Sequence, residues 1–73
     1  MKIEFSEHAE QQLKRRKITR EVVKKAIQNF EEKIASYRKR ELLQIRIDGK
    51  LLEVVTKKEG QKIIVITAYY LEK

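Results

Sequence analysis

Leu51-Leu52-Glu53-Val54-Val55-Thr56-Lys57-Lys58-Glu59-Gly60-Gln61-Lys62-Ile63-Ile64-Val65-Ile66-Thr67-Ala68-Tyr69-Tyr70 is the stretch whose pairing decides the fold. Two β-rich runs, Leu51 to Lys57 and Lys62 to Tyr70, flank Glu59-Gly60, a turn signal that closes an antiparallel hairpin. A two-residue turn at Glu59-Gly60 pairs Val54 with Val65 and sends Thr67 and Tyr69 to the Leu52 and Val54 face. A three-residue loop with a glycine bulge shifts the register by one residue and exchanges the faces. Thr67 and Tyr69 then join Arg46 and Glu53, away from Ile45 and Val54, while Ile64, Ile66 and Ala68 face the covering helices. The bulged form is preferred because it buries those three apolar side chains.

Upstream, Asp48-Gly49 separates this hairpin from a strand over Glu41 to Ile47, and a shorter β-rich run covers Ile34 to Arg38. The N-terminal third has helical patterning instead. Ser6 is a good N-cap for a helix from Glu7 to Lys17, and Thr19 can cap a second from Arg20 to Asn29. Val22, Val23, Ala26, Ile27 and Phe30 form the buried stripe of that second helix. The expectation is α+β: two N-terminal helices packed on one face of an antiparallel sheet of three or four strands, residues 1–73 forming a single domain. A chain of 73 residues buries only about 60% of its unfolded surface, so the core is thin and leaves no deep cofactor cleft.

Composition removes several chemistries. The absence of cysteine excludes disulfides, thiolate nucleophiles and cysteine-based zinc sites, and a single histidine weakens any transition-metal site. Carboxylates are not clustered as Ca²⁺ or Mg²⁺ requires, and no glycine-rich loop is present to cradle a nucleotide, so no cofactor is expected. Neither of the two serines, Ser6 and Ser36, lies in a G-x-S-x-G context. No apolar run approaches the roughly 20 residues of a spanning helix. Met1-Lys2-Ile3-Glu4-Phe5 lacks the features of a secretory signal, so a cytoplasmic protein without membrane contact is expected. The formal charge of +7 attracts polyanions, nucleic acid foremost, and would also steer an acidic protein partner.

His8 is the first candidate for chemistry, because imidazole both takes and gives a proton near neutral pH. On a helix, His8, Gln12 and Arg15 fall within about 60° of one another, beside the Ala9, Leu13 and Arg16 stripe. His8 would then sit at the rim of the sheet, within reach of Thr67, Tyr69 or Tyr70; the plainer alternative is a helix-start histidine bonded to a nearby backbone group. Lys14-Arg15-Arg16-Lys17, with Arg20, Lys24 and Lys25, is the densest positive region. Such a run is commonly a solvated face, but a second basic group, Arg38-Lys39-Arg40 with Arg46, makes a phosphate-binding groove credible. Tyr37, Tyr69 and Tyr70 offer rings on which an unpaired base can stack; the plainer alternative for each, and the favoured one for Tyr37, is an ordinary strand residue with a wet hydroxyl.

Phe5-Ser6-Glu7-His8-Ala9, Arg16-Lys17-Ile18-Thr19, then Val23, Ala26, Ile27 and Asn29, and finally Val65-Ile66-Thr67-Ala68-Tyr69 resemble the small bacterial and archaeal domain of unknown function catalogued as family 4258. The likeness spans nearly the whole chain. That family is in turn similar in layout to the metal-independent ribonucleases of the barnase, EndoU, colicin and RelE superfamily, many of them toxins of toxin-antitoxin pairs. The resemblance, together with His8 beside a basic helix and the lack of metal ligands, leads to the expectation of a metal-independent endoribonuclease that leaves a 2′,3′-cyclic phosphate, the alternative being a non-catalytic nucleic-acid-binding module. His8 would move the proton, Arg16 and Arg46 would stabilise charge on phosphate, and Thr67 and Tyr69 would position it. Lys14, Arg15, Lys17, Arg20, Arg38, Arg40 and Tyr70 would bind the nucleic acid. RNA is the expected partner, with an acidic antitoxin-like protein or self-association through an open sheet edge as further expectations. Three positions depart from the family pattern: Gln12 where it often has Arg, Lys17 where it often has Gly, and Phe30 where the second helix commonly ends at Pro.

Overall fold

Ser6 ends the first strand and starts the first helix: its backbone is extended and its Oγ accepts from the Ala9 amide at 3.0 Å, satisfying one of the helix's free N-terminal donors. Thr19 repeats the device, its Oγ1 accepting from the Val22 amide at 3.2 Å. The computed structural model describes residues 2–71. In chain order it contains β1 (Lys2–Phe5), α1 (Glu7–Arg16), α2 (Arg20–Gln28), β2 (Glu32–Ala35), a 3-10 turn (Tyr37–Lys39), β3 (Arg40–Ile47), β4 (Lys50–Glu59) and β5 (Lys62–Leu71). The two helices cover one face of a five-stranded sheet of order β1-β5-β4-β3-β2.

The α+β class and both helices match expectation, but the sheet is mixed rather than antiparallel and has five strands. The additional strand is β1, which pairs in parallel with β5 from Lys2↔Lys62 to Phe5↔Val65. Four residues carry too little alternation to identify a strand, and the partner lies some 60 residues later in the chain. The β-rich run read at Ile34 to Arg38 is displaced to Glu32–Ala35 as β2, because Arg38 and Lys39 adopt left-handed backbone, with φ of 55° and 63°, and cannot continue a strand.

Ala9 and Leu13 of α1, Ile18, and Val23, Ala26 and Ile27 of α2 pack on Leu43, Ile45, Leu52, Val54, Val65 and Ala68 of the sheet. Phe30 does not extend the α2 stripe: it lies beyond the helix, exposed, with the Lys33 ammonium over its ring at 5.7 Å. At the β3–β4 hairpin Asp48 and Gly49 both have positive φ, 51° and 81°, the backbone of a type I′ turn matched to strand twist.

The last hairpin takes neither expected register. Glu59 pairs with Lys62, so Gly60-Gln61 forms the turn, and the irregularity sits in mid-strand. Thr56 pairs with Val65 and Val55 with Thr67, leaving Ile66 as an extra residue. This β-bulge switches the alternation of β5: Ile63, Val65 and Ala68 face the helices, so the expectation that Ile64 and Ile66 would do so is corrected. Thr67 and Tyr69 nevertheless face away from Val54 and Ile45, beside Glu53.

Lys17 ends α1 in left-handed backbone, with φ of 58°, its amide directed to the Leu13 and Lys14 carbonyls. A non-glycine residue there costs about 1–2 kcal/mol, while glycine adds about 0.5–1 kcal/mol of unfolded-chain freedom. Lys17→Gly is therefore expected to raise stability by about 0.5–1 kcal/mol, measured as a higher urea midpoint at constant m-value. A lower midpoint would show that the lysine side chain contributes more than its backbone conformation costs.

Candidate functional site

Beyond the Phe5↔Val65 pair β1 ends, and β5 continues without a strand neighbour on that side. Helix α1 lies along this open edge. The Arg16 Nη1 donates to the Ala68 carbonyl at 2.9 Å and to the Thr67 Oγ1 at 3.1 Å. The Thr67 hydroxyl donates in turn to the Gln12 Oε1 at 2.6 Å. The Arg16 guanidinium carbon also stands 5.9 Å from the centre of the Tyr69 ring, within cation–π range. Arg16 is thus held by a backbone carbonyl, a hydroxyl and an aromatic face.

The chain of contacts continues across the helix-free face. The Tyr69 hydroxyl donates to Glu53 Oε2, and the Gln44 Nε2 donates to Glu53 Oε1 at 2.6 Å. Glu53 is only 6% exposed, and these two donors, with Arg16 across the Tyr69 ring, make burial of a carboxylate tolerable. Burial pushes the Tyr69 phenol up to about 12, helped by its hydrogen bond to Glu53 and that carboxylate's charge and opposed by Arg16. Tyr69 is therefore a neutral donor at physiological pH, already committed to Glu53.

Of the residues expected to carry chemistry, Arg16, Thr67 and Tyr69 come together. Arg46 is exposed on the same sheet face, two strands from Tyr69 and two residues beyond Gln44, which puts it about 12 Å away by strand spacing and rise. His8 is exposed on α1 and makes no side-chain hydrogen bond among the described residues. Gln12 and Arg16, not His8 or Arg15, meet Thr67. His8 lies one helical turn before Gln12 and two before Arg16, at the start of an i, i+4, i+8 row.

The expected nucleic-acid residues divide among separate surfaces. Arg15 and Lys17 are exposed on and just after α1. Lys14 and Arg20 border a shallow recess with Glu10, Leu13 and Ile18, and Arg20 is engaged by Glu10 and by the Phe5 ring. Arg40 begins β3, six residues and about 20 Å along the strand from Arg46, with Arg38 in the preceding turn. They do not form one groove with Arg46. Tyr70 pairs with Leu52 on the face opposite Tyr69, under the Lys50 ammonium, so the two tyrosines do not form one stacking platform. Glu53 and Gln44 were not among the expected site residues. Their signal was a lone acid inside the apolar run Leu51-Leu52-Glu53-Val54-Val55, a position that demands a partner once buried.

Arg16 offers five N–H groups, and only those on Nη1 have partners among the described residues. The remaining edge of the exposed guanidinium is fixed in direction and can receive an oxyanion such as phosphate. Among the described residues no group of three His, Cys, Asp or Glu side chains could hold a metal ion, and no helix is long and apolar enough to cross a membrane. Compared with known proteins, the chain matches over residues 5–70 the family described as Domain of unknown function (DUF4258). No curated protein and no solved structure matches it.

Because the folded-state value of Tyr69, about 12, exceeds the ordinary 10.0, protonated Tyr69 supports the fold fully below pH 10. That support is lost as pH rises from about 10 through about 12. In a Tyr37→Phe, Tyr70→Phe background, phenolate absorbance is expected to titrate with a midpoint near 12. Glu53→Gln is expected to lower that midpoint by removing the facing charge. A midpoint unmoved by this substitution would separate Glu53 from the cause.

Proposed function

The chain belongs to the DUF4258 family, and from its anchored arginine we propose that it is a small metal-independent endoribonuclease that cleaves RNA through a 2′,3′-cyclic phosphate. The observation that carries this reading is Arg16, fixed by the Thr67 hydroxyl, the Ala68 carbonyl and the Tyr69 ring on the helical row that His8 begins. A guanidinium held before substrate arrives stabilises charge on phosphate without reorganising during the reaction.

In this mechanism the RNA 2′-oxygen attacks the adjacent phosphorus and His8 takes the 2′-hydroxyl proton. The P–O5′ bond breaks, and the departing 5′-oxygen takes a proton from the imidazolium or from water. Arg16 and Arg46 offset the charge that develops on the non-bridging oxygens. Thr67 and Tyr69 act by fixing Arg16, the first through its hydroxyl and the second through its ring face. Glu53 and Gln44 fix Tyr69 in turn, so they are positioning residues.

A second reading is favoured by Gln12. It occupies a position where the resemblance leads to an arginine, and its carbonyl oxygen accepts a hydrogen bond from the Thr67 hydroxyl. With one fewer cation at the phosphate, the same surface serves a non-catalytic nucleic-acid-binding module. That module would bind with log affinity falling linearly against log salt and leave RNA intact.

With purified protein and total RNA in EDTA, wild type is expected to leave 2′,3′-cyclic phosphate ends, and His8→Ala to slow cleavage by about 10²–10⁴-fold. Equal cleavage by His8→Ala would remove His8 from the mechanism. Intact RNA with salt-dependent binding would establish the non-catalytic reading instead. Gln12→Arg is expected to increase cleavage if a phosphate contact at this position limits the rate.

A further inference from the structure

Between β2 and β3 the chain runs through Ser36-Tyr37-Arg38-Lys39-Arg40, a tip closed by the Ser36 amide donating to the Arg40 carbonyl at 2.8 Å. Tyr37 is 82% exposed, far more than Phe30, Ile34 or Tyr70, the other exposed large apolar side chains among the described residues. Burial does not account for an aromatic ring at this position. Arg38 and Lys39 then follow in consecutive left-handed conformations, with φ of 55° and 63°, which glycine or asparagine would adopt at less cost. They are the central residues of the β2–β3 turn, in which the Arg40 amide donates to the Tyr37 carbonyl, and positive φ at both positions is the backbone that a hairpin turn matched to strand twist requires. The turn therefore fixes the backbone of Arg38 and Lys39 directly beside the exposed Tyr37 ring.

We propose that the Tyr37–Arg40 tip is a stacking subsite for one unpaired base of a single-stranded nucleic acid, with Arg38, Lys39 and Arg40 holding the neighbouring phosphates. The ring supplies a π-face that accepts any base, and three cations in the next three residues match the charge of the backbone on either side. A duplex is disfavoured because its bases are already stacked and would have to be splayed out to reach a lone ring. The tip lies at the β2–β3 end of the sheet, whereas Arg16 is bound to the β5 edge. It is therefore a second contact that engages only strands long enough to cross the sheet. The inference rests on the nucleic-acid reading of the Arg16 site, not on cleavage.

The test is equilibrium binding of an oligodeoxythymidylate, which lacks the 2′-hydroxyl and cannot be cut by the proposed mechanism, alongside an abasic oligomer of the same length. Loss of one stacked base is expected to weaken oligodeoxythymidylate binding at least about fivefold in Tyr37→Ala, while Tyr37→Phe retains it. The abasic oligomer should bind all three proteins alike. Because Tyr37 is exposed, its replacement is expected to leave the thermal midpoint unchanged, which separates lost stacking from lost folding. Unchanged oligodeoxythymidylate binding in Tyr37→Ala, equal weakening of both oligomers, or no binding by wild type at low salt would overturn the proposal. If RNA remains uncut but the Tyr37 effect persists, the stacking subsite stands and the ribonuclease reading fails.

Discussion

Ile66 is the residue on which the arrangement of this protein depends. As the unpaired member of a bulge between Val65 and Thr67, it lets one strand serve two environments. Before it, Ile63 and Val65 face the helices; after it, Ala68 does. Without the extra residue, strict alternation would send Thr67 and Tyr69 into the core with Val65. Two polar side chains would then lack Gln12, Arg16 and Glu53 as partners, and burying them unpaired would cost several kcal/mol in total. The bulge preserves a continuous apolar core and also delivers a hydroxyl and a phenol to the opposite face.

The same half of β5 would otherwise be an exposed sheet edge, because β1 stops opposite Val65. Free edges invite pairing with other chains, and native folds commonly cover them. Here α1 does so, with Arg16 taking the Ala68 carbonyl that a further strand would have paired. Edge protection and site construction are thus one contact. The residue that closes the sheet also keeps N–H groups without a partner among the described residues, because a guanidinium has more donors than the edge consumes.

The helices were legible because their caps are local: Ser6 and Thr19 act on amides three residues away. Arg16, Thr67 and Tyr69 were recognisable as candidates from residue type and resemblance, and they do meet. Three features were not legible. β1 is too short to signal itself and pairs across nearly the whole chain. The bulge at Ile66 has no glycine to mark it, and the apolar run around it favours a register that the sheet does not adopt. The tip at Tyr37 reads as the continuation of a strand, since Tyr37 has high β-propensity and only its neighbours' backbone angles reveal the turn.

The sequence by itself determined the α+β class, the two capped helices, the positive charge and the exclusion of cysteine-based chemistry, because each depends on composition or on contacts within a few residues. Tertiary structure alone decided that Gln12 and Arg16 rather than Arg15 reach Thr67, that Glu53 and Gln44 secure Tyr69, and that Tyr69 and Tyr70 part to opposite faces. These depend on a single bulge and on a parallel pairing between the two ends of the chain. Both are settled by the total burial and hydrogen bonding of the whole sheet, to which no local stretch of sequence has access.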